Sequence, residues 1–315
     1  MTQTTTPYPS ANLGLYPDFT AQYSSNLELL LQQTQTLLRP HVNEQGGLVG
    51  KMASPVTQYS SITMKAPRGR FSPVDHVNPY SLRPWMFPQP GEIVELIDSF
   101  DKLQTIVDPT SGYVRAAAAA TGRYWDDGLI AAAVGTRQTG TDIGNLTPDS
   151  FSTSLYQVAN NFGASATIGL TVAKIIEARR ILEHYHNDLT ADRPTLVIGS
   201  QQKSDLLNSV QVVSTEFNER PVLVNGQIQQ FLGCDIVVSE RLSVTSSNRN
   251  CFVFVKSGLT LGMWKDMTNY IDQRPDLSGR PWQLTTQTMF GPVRTQAGKV
   301  ISILCNDTTG VDITP

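Results

Sequence analysis

The stretch from Asp108 to Gly135, DPTSGYVRAAAAATGRYWDDGLIAAAVG, restricts the possible folds more than any other part of the chain. Asp108 offers a side-chain oxygen to the free N–H groups of a helix start, and Pro109 suits the first helical position, where no N–H is needed. The run Ala116 to Ala120 has the highest intrinsic helix propensity. Val114, Ala118, Thr121, Trp125, Leu129 and Ala132 recur at spacings of three and four, which places them on one face. Gly135 supplies a stop. The pattern predicts a helix over residues 109–134, about 40 Å long and more than twice the average globular length. A helix of that length is the backbone of whatever packs around it. Gly112, Gly122 and Gly128 cost helix propensity and are read as places where a neighbouring segment comes close. Arg123 stands three and four residues before Asp126 and Asp127, so ion pairs with Arg123 and with a neighbour are expected for these acids.

Ahead of the helix lies a segment with no obvious place inside a lone globule. Residues 46–100 open on Gly46, Gly47 and Gly50 and are punctuated by Pro55, Pro67, Pro73, Pro79, Pro84, Pro88 and Pro90. Between them lie short alternating pieces, such as Ser61 to Met64 and Ile93 to Ile97. This predicts a long, exposed antiparallel ribbon. A connection this long needs a job, and reaching out to a neighbouring subunit is one. The expectation is a ribbon poorly packed within one chain and buried in an assembly. Residues 1–20, rich in Thr, Pro and Ser, read as a flexible or extended arm. Asn26 to Leu38 reads as a short helix carrying Leu27, Leu30, Leu31, Leu37 and Leu38, ended by Arg39-Pro40.

Beyond the long helix, residues 136–166 read as loops with short strands. Residues 171–186 read as a second helix with Val172, Ile175, Ile176, Arg179 and Leu182 on its stripe. Thr195 to Gly199 reads as a buried strand, followed by a short helix from Ser200 through Leu206-Leu207. Asn225-Gly226 is a hairpin signal. Leu232 to Val238 and Cys251 to Val255 read as strands, followed by an alternating stretch through Trp282, Leu284 and Phe290 and a final strand, Val300 to Leu304. Helices and strands are segregated, which gives an α+β class, and no internal repeat is present.

Only 16% of the 315 residues are charged. That suits a subunit whose surface mostly faces other subunits, and equally a polar soluble protein. The net charge is −3, and the densest basic group is Lys65, Arg68 and Arg70. A dedicated nucleic-acid binder would carry a basic stripe; a shell that merely encloses nucleic acid needs none. Cys234, Cys251 and Cys305 have no zinc-site spacing and read as buried, reduced thiols, in keeping with assembly in a reducing cytosol. No apolar run approaches the ~20 residues of a membrane span. The first residues, MTQTTTPYPSANLG, lack a basic n-region and an apolar h-region, so the chain is expected to keep them.

Sites of chemistry are sparse. There is no GxSxG elbow, no phosphate-binding glycine loop followed by Lys-Ser/Thr, and no HExxH. His184-Tyr185-His186, with Asp188 nearby, is the best metal candidate, but on a helix rings at i and i+2 diverge. Two solvated histidines at a helix C-terminus is the preferred reading. Asp126 and Asp127 point about 100° apart on a helix and share no substrate. Asp266, Asp272 and Asp276 are scattered in a segment read as loop-rich, and GLTLG at 258–262 lacks the context of a nucleotide loop. No catalytic, cofactor-binding or metal-ligating residue is assigned, no cofactor is expected, and the chain is read as a non-enzyme.

The order of these elements resembles the major capsid proteins of tailed bacteriophages. IVDPTSGYVRAAAAATGRYWDDGLIAAAVG looks like the spine helix of that family, with Asp108-Pro109, Ala116 to Ala120, and Arg123 with Asp126 at matching places. LTVAKIIEARRILEHYHND, RPTLVIGSQQKSDLLNS and NGQIQQFLGCDIVVSERL resemble its central domain. TMFGPVRTQAGKVISILCND resembles its final strands. The resemblance covers roughly residues 45–306. It implies an HK97-like α+β capsid fold: an N-terminal arm at 1–45, an extended E-loop hairpin at 46–100, a P-domain at 101–166 and 285–315 with its spine helix at about 109–134, and an A-domain at 167–284.

It also implies self-assembly into pentamers and hexamers, forming an icosahedral shell around the packaged double-stranded DNA genome of a tailed phage. Implied partners are other copies of the chain, neighbouring capsomers reached through the E-loop and N-arm, and scaffolding, portal and decoration proteins. DNA would be touched non-specifically and no membrane is involved. The implied location is the virion, after assembly in the host cytoplasm. Many family members begin with a long, helical, scaffold-like segment that is cleaved; here the part before the E-loop is too short for one. No cross-linking pair is carried over. An encapsulin-type bacterial cargo compartment shares the fold and is the alternative. An unrecognised enzyme lacks a constellation, and a tail or portal component leaves the helix and ribbon unexplained.

Overall fold

The computed structural model describes residues 32–66, 69–71, 76–97, 110–209, 223–224, 227–228 and 230–307. Within these, the helices are α1 (Thr110–Val134), α2 (Thr153–Tyr156), α3 (Val172–His184) and α4 (Ser200–Asn208). The strands of the first half are β1 (Asn43–Gln45), β2 (Gln58–Tyr59), β3 (Ser81–Trp85), β4 (Gln89–Ile97), β5 (Arg137–Gly140), β6 (Thr147–Asp149) and β7 (Gln157–Val158). Those of the second half are β8 (Pro194–Ile198), β9 (Leu223–Val224), β10 (Gln227–Ile228), β11 (Gln230–Phe231), β12 (Cys234–Val238), β13 (Val244–Thr245), β14 (Asn248–Val255), β15 (Leu259–Gln273), β16 (Trp282–Arg294) and β17 (Val300–Asn306).

The largest sheet has the order β11-β12-β8-β14-β17-β7, with β13 on β14. Its central strands are almost wholly apolar because both faces are covered: Val197, Ile198, Phe252, Phe254, Ile301 and Ile303 are all buried. Helix α3 lies on it through Val172, Ile175, Ala178 and Leu182. Ile176, expected on that stripe, is 53% exposed. The buried arc is rotated toward Lys174, so Ile176 falls outside it. A second sheet runs β1-β15-β16-β4, and a third β2-β3-β5-β6. The chain joins the sheets by returning: β17, the last strand, lies between β14 and β7.

Helix α1 is 25 residues long, about 37 Å at 1.5 Å per residue. Its expected cap and first residue, Asp108-Pro109, lie outside the described residues. Of the predicted face, Thr121, Trp125 and Leu129 are buried, and Val114, Ala118 and Ala132 only half-buried. The buried surface is wider than predicted and also takes in Gly122, Asp126, Ile130 and Ala133. Two layers cause this. Strand β16 covers one side: a Cβ on Gly128 would stand 2.6 Å from the Phe290 ring. Residues 35–36 cross the other: a Cβ on Gly122 would stand 3.2 Å from the backbone nitrogen of Thr36. These two glycines are therefore close-packing positions. The helix ends with the Gly135 N–H donating to the Ala131 carbonyl at 2.9 Å.

Three expectations are corrected. Of the expected helix Asn26 to Leu38, residues 26–31 lie outside the described residues, and 32–38 are not helical; a single 3-10 turn, Arg39–His41, follows them. The N–H groups of Leu37 and Leu38 go to the Asp126 side chain rather than back along their own segment. Residues 232–233 belong to a turn, not a strand: Leu232 (φ 50°) and Gly233 (φ 73°) are both left-handed, the requirement of a two-residue hairpin turn between antiparallel strands. Residues 259–273, which include Asp266 and Asp272, form the long strand β15, not loops. Its register against β16 shifts between Met263 and Lys265 and again between Lys265 and Thr268. Such bulges break the period of two that sequence reading relies on. The Asn225-Gly226 turn itself lies outside the described residues, and the flanking pairs Val224↔Gln227 and Leu223↔Ile228 are antiparallel.

Candidate assembly surface

Residues 46–97 are tied down at the base and bare at the tip. At the base, Met86 is 0% exposed and exchanges two backbone hydrogen bonds with Ala53. The Trp264 indole N–H donates to the Gly50 carbonyl at 2.8 Å, and the Trp85 indole N–H to the Gly140 carbonyl at 3.3 Å. Strand β4 is paired along its length with β16, from Ile97↔Trp282 to Gln89↔Phe290. Further out, β2 and β3 share only the pairs Gln58↔Leu82 and Tyr59↔Ser81. Beyond them every described residue of 61–66, 69–71 and 76–80 is exposed. These include large apolar side chains: Met64 at 97%, Phe71 at 99%, Tyr80 at 70% and Ile62 at 62%. Burying such a side chain is worth about 1.5–3 kcal/mol, which a single chain forgoes here.

The segment before β1 is strapped across α1. The fully buried Asp126 carboxylate accepts from the Thr36 hydroxyl at 2.7 Å, the Leu37 N–H at 2.9 Å, the Leu38 N–H at 3.2 Å and the Gln33 amide. Leu38 is seated in the core at 1% exposure. Arg39 stacks 4.7 Å above the Trp125 ring and pairs with Glu44 and Asp266. The expected pair between Arg123 and Asp126 does not form. Arg123 donates to the Gln32 side chain at 2.8 Å and the Gln33 carbonyl at 2.9 Å. Asp126 faces the strap and Arg123 its edge, so the two side chains are used separately. Asp127 does take a neighbour, a two-pronged pair with Arg241.

Sequence reasoning missed Lys174 entirely. It is 0% exposed, and its ammonium donates to the carbonyls of Asn160, Ile168, Gly169 and Leu304, each at 2.9 Å. It thereby ties both ends of the exposed loop 161–167 to strand β17. Burial pushes its pKa below the ordinary lysine value. Nothing in local sequence marks a lysine on a helix as a core residue.

The residues weighed for chemistry are not brought together. Among the described residues no group of three or more His, Cys, Asp or Glu is placed to hold a metal. The His184 ring packs edge-on against Tyr185, and Asp188 accepts from the N–H groups of Thr190 and Ala191. Asp266 pairs with Arg39, and Asp276 with Arg274. Of Gly258 to Gly262, Gly258 ends a 3-10 turn and Leu259 to Gly262 are the buried start of β15, hydrogen-bonded to β16. Cys234, Cys251 and Cys305 are free and buried, and burial pushes the Cys234 thiol up to about 11. No helix among the described residues is long and apolar enough to cross a membrane.

No curated protein sequence matches the chain. Its structure is similar to the capsid of cyanophage P-SCSP1u, with 15% identity, 91% of this chain and 93% of that one covered, and a TM-score of 0.70. It is similar to the cyanophage Pam1 capsid at 13% identity, 96% and 100% coverage and a TM-score of 0.69. It is similar to a chain of Mycobacterium phage Che8 at 17% identity, 90% and 97% coverage and a TM-score of 0.67. At these identities the likeness establishes the fold, which is α+β and HK97-like. Residues 15–307 match the family described as phage capsid protein. This span takes in the strap, the ribbon, α1 and all the sheets, and the chain belongs to the phage capsid protein family.

Proposed function

We propose that copies of this chain associate into pentamers and hexamers, and that these close into the icosahedral shell around the double-stranded DNA of a tailed phage. The observation that carries this reading is the bare tip of the ribbon, with Met64 and Phe71 almost wholly exposed beyond an anchored base. A sheet-edge hairpin that displays apolar side chains is a liability in a free chain and an asset where neighbouring copies cover it. In this reading residues 46–100 are an E-loop lying over a neighbouring copy, and 1–45 an arm running from the strap on α1. Residues 101–166 and 285–315 form the P-domain, and 167–284 the A-domain at the capsomer centre. Symmetric closure selects a shell over open aggregates. The protein's work is structural rather than enzymatic. It is assembled in the host cytoplasm with scaffolding and portal proteins, with decoration proteins on the finished shell. The family match favours a phage capsid over an encapsulin-type compartment.

Replacing residues 60–80 by a short Gly-Ser linker tests the reading. Sedimentation of the full chain is expected to give large closed particles, and the shortened chain only capsomers or single copies. Particles of unchanged size from the shortened chain would overturn it.

A further inference from the structure

Five arginines among the described residues share one mode of pairing that Arg294 lacks. Arg39, Arg180, Arg241, Arg249 and Arg274 each present their Nε and Nη2 edge to both oxygens of a carboxylate, on Glu44, Glu177, Asp127, Asp307 and Asp276 respectively. This side-on fork is the guanidinium edge that matches a carboxylate or phosphate in plane. In Arg294 the same edge is left over. Its Nη1 donates to the carbonyls of Ala133 and Gly135 at 2.8 and 2.9 Å, which fixes the group against the C-terminus of α1. Its Nε and Nη2 are buried and have no hydrogen-bond partner. The residue is 0% exposed, and no described carboxylate pairs with it.

The surroundings hold two cations close together. The Phe151 ring lies 4.9 Å from the Arg294 guanidinium carbon, a contact that favours its charge. Arg137 stands close by, its own Nε taken by Asp149 at 2.7 Å. Two guanidinium groups thus stand near one carboxylate, which Arg137 alone engages. Both arginines are among the residues around a cavity of about 270 Å³ walled by Trp85, Phe87, Gly128 and Thr136, between α1 and the base of the ribbon; the fork itself is covered in the single chain, so the wall must shift to admit an oxyanion. Burial, together with the Arg137 charge, pushes the Arg294 pKa down to about 10, so it remains a cation at neutral pH. An unpaired buried cation is costly, and a bound oxyanion relieves that cost.

We propose that Arg294, with Arg137 beside it, is the floor of an oxyanion site that takes a planar pair of oxygens, carboxylate or phosphate, through the Nε and Nη2 edge. The oxygens come either from a free ion or from an acidic side chain of a second copy of the chain. Filling the site would brace the C-terminus of α1 against the ribbon base.

The test uses the full chain, unassembled and assembled, with Arg294→Lys and Arg294→Met. Lysine keeps the charge and can still cap α1, but has no planar fork. Thermal unfolding of the unassembled chain is followed against inorganic phosphate and acetate at constant ionic strength, and the fork is inspected in a density map of the assembled particle. For a free-ion source, the native chain shows a saturable rise in Tm that both variants lose. For a second-copy source, the free chain shows no such rise, and the map places an Asp or Glu of a neighbour within hydrogen-bond distance of Nε and Nη2. The proposal is overturned if Arg294→Lys responds to the anions as the native chain does. It is equally overturned if no saturable response appears and the map shows only water at the fork.

Discussion

The backbone N–H of Leu38 donates to the buried carboxylate of Asp126, 88 residues later in the chain, at 3.2 Å. With the neighbouring bond from Leu37 at 2.9 Å, it turns one aspartate on α1 into the clasp of the strap. Removing it leaves the buried Leu38 N–H and the half-buried Leu37 N–H unpaired, at up to about 1–3 kcal/mol each. Asp126→Ala is therefore expected to lower stability by about 3 kcal/mol in urea unfolding. It should also open residues 32–38 to limited proteolysis, whereas Asp127→Ala, which removes only a surface pair with Arg241, should do neither.

Lys174 predicts a second, larger loss. Its three N–H donors are shared among four carbonyls, of which that of Leu304 is 130 residues away in sequence. Lys174→Met keeps most of the volume and strips every donor. The expected cost is on the order of 4 kcal/mol, read by chemical denaturation. A change below about 1 kcal/mol would mean that the carbonyls find other donors.

Packing limits are sharpest where a glycine meets backbone. A Cβ on Gly291 would stand 2.5 Å from the Phe87 carbonyl oxygen, in a strand that cannot move without unpairing β4. Gly291→Ala is expected to destabilise by about 1–3 kcal/mol. At Gly128 the obstacle is instead the far end of the Phe290 side chain, and alanine recovers up to about 1 kcal/mol of helix propensity. Gly128→Ala should therefore cost less than Gly291→Ala in the same denaturation assay.

Acid should loosen one end of the central strands β14 and β17 of the largest sheet. Asp307 accepts from Arg249 Nε and Nη2 at 3.0 Å each, and this bonding holds its carboxyl below the usual range. Burial pushes Glu240 upward, but the Ser200 N–H and Arg249 outweigh it and leave the carboxyl lowered. A carboxylate whose folded pKa is depressed binds fewer protons folded than unfolded. Its stabilisation is complete above the unfolded value near 4 and is lost as pH falls through the folded value. Tm measured from about pH 6 down to about 3 is expected to fall, and Asp307→Asn should flatten that fall.

How much of this was legible in the sequence depended on how local its cause was. Helix α1 could be read because the Ala116 to Ala120 run and the glycine stop act within the segment. The exposed ribbon could be read because prolines and glycines act on their own backbone. The face of α1 was misjudged because Asp126 is buried by partners that no local period encodes. Lys174 was overlooked for the same reason. Leu37 and Leu38 looked helical by spacing, yet their N–H groups have a better acceptor elsewhere. The bulges in β15 scrambled an alternation that would otherwise have announced a long strand. Arg294 stands at the end of the alternating stretch through Trp282, Leu284 and Phe290, where nothing local singles it out. Only the fold shows it turned inward to α1.

The central claim is that the ribbon bare in one chain is covered between copies. Electron cryo-microscopy of purified assemblies tests it most directly. The account predicts closed icosahedral particles in which Met64 and Phe71 of each copy are packed against a neighbouring copy. Particles in which these side chains face solvent, or a preparation that stays as single copies, would contradict it.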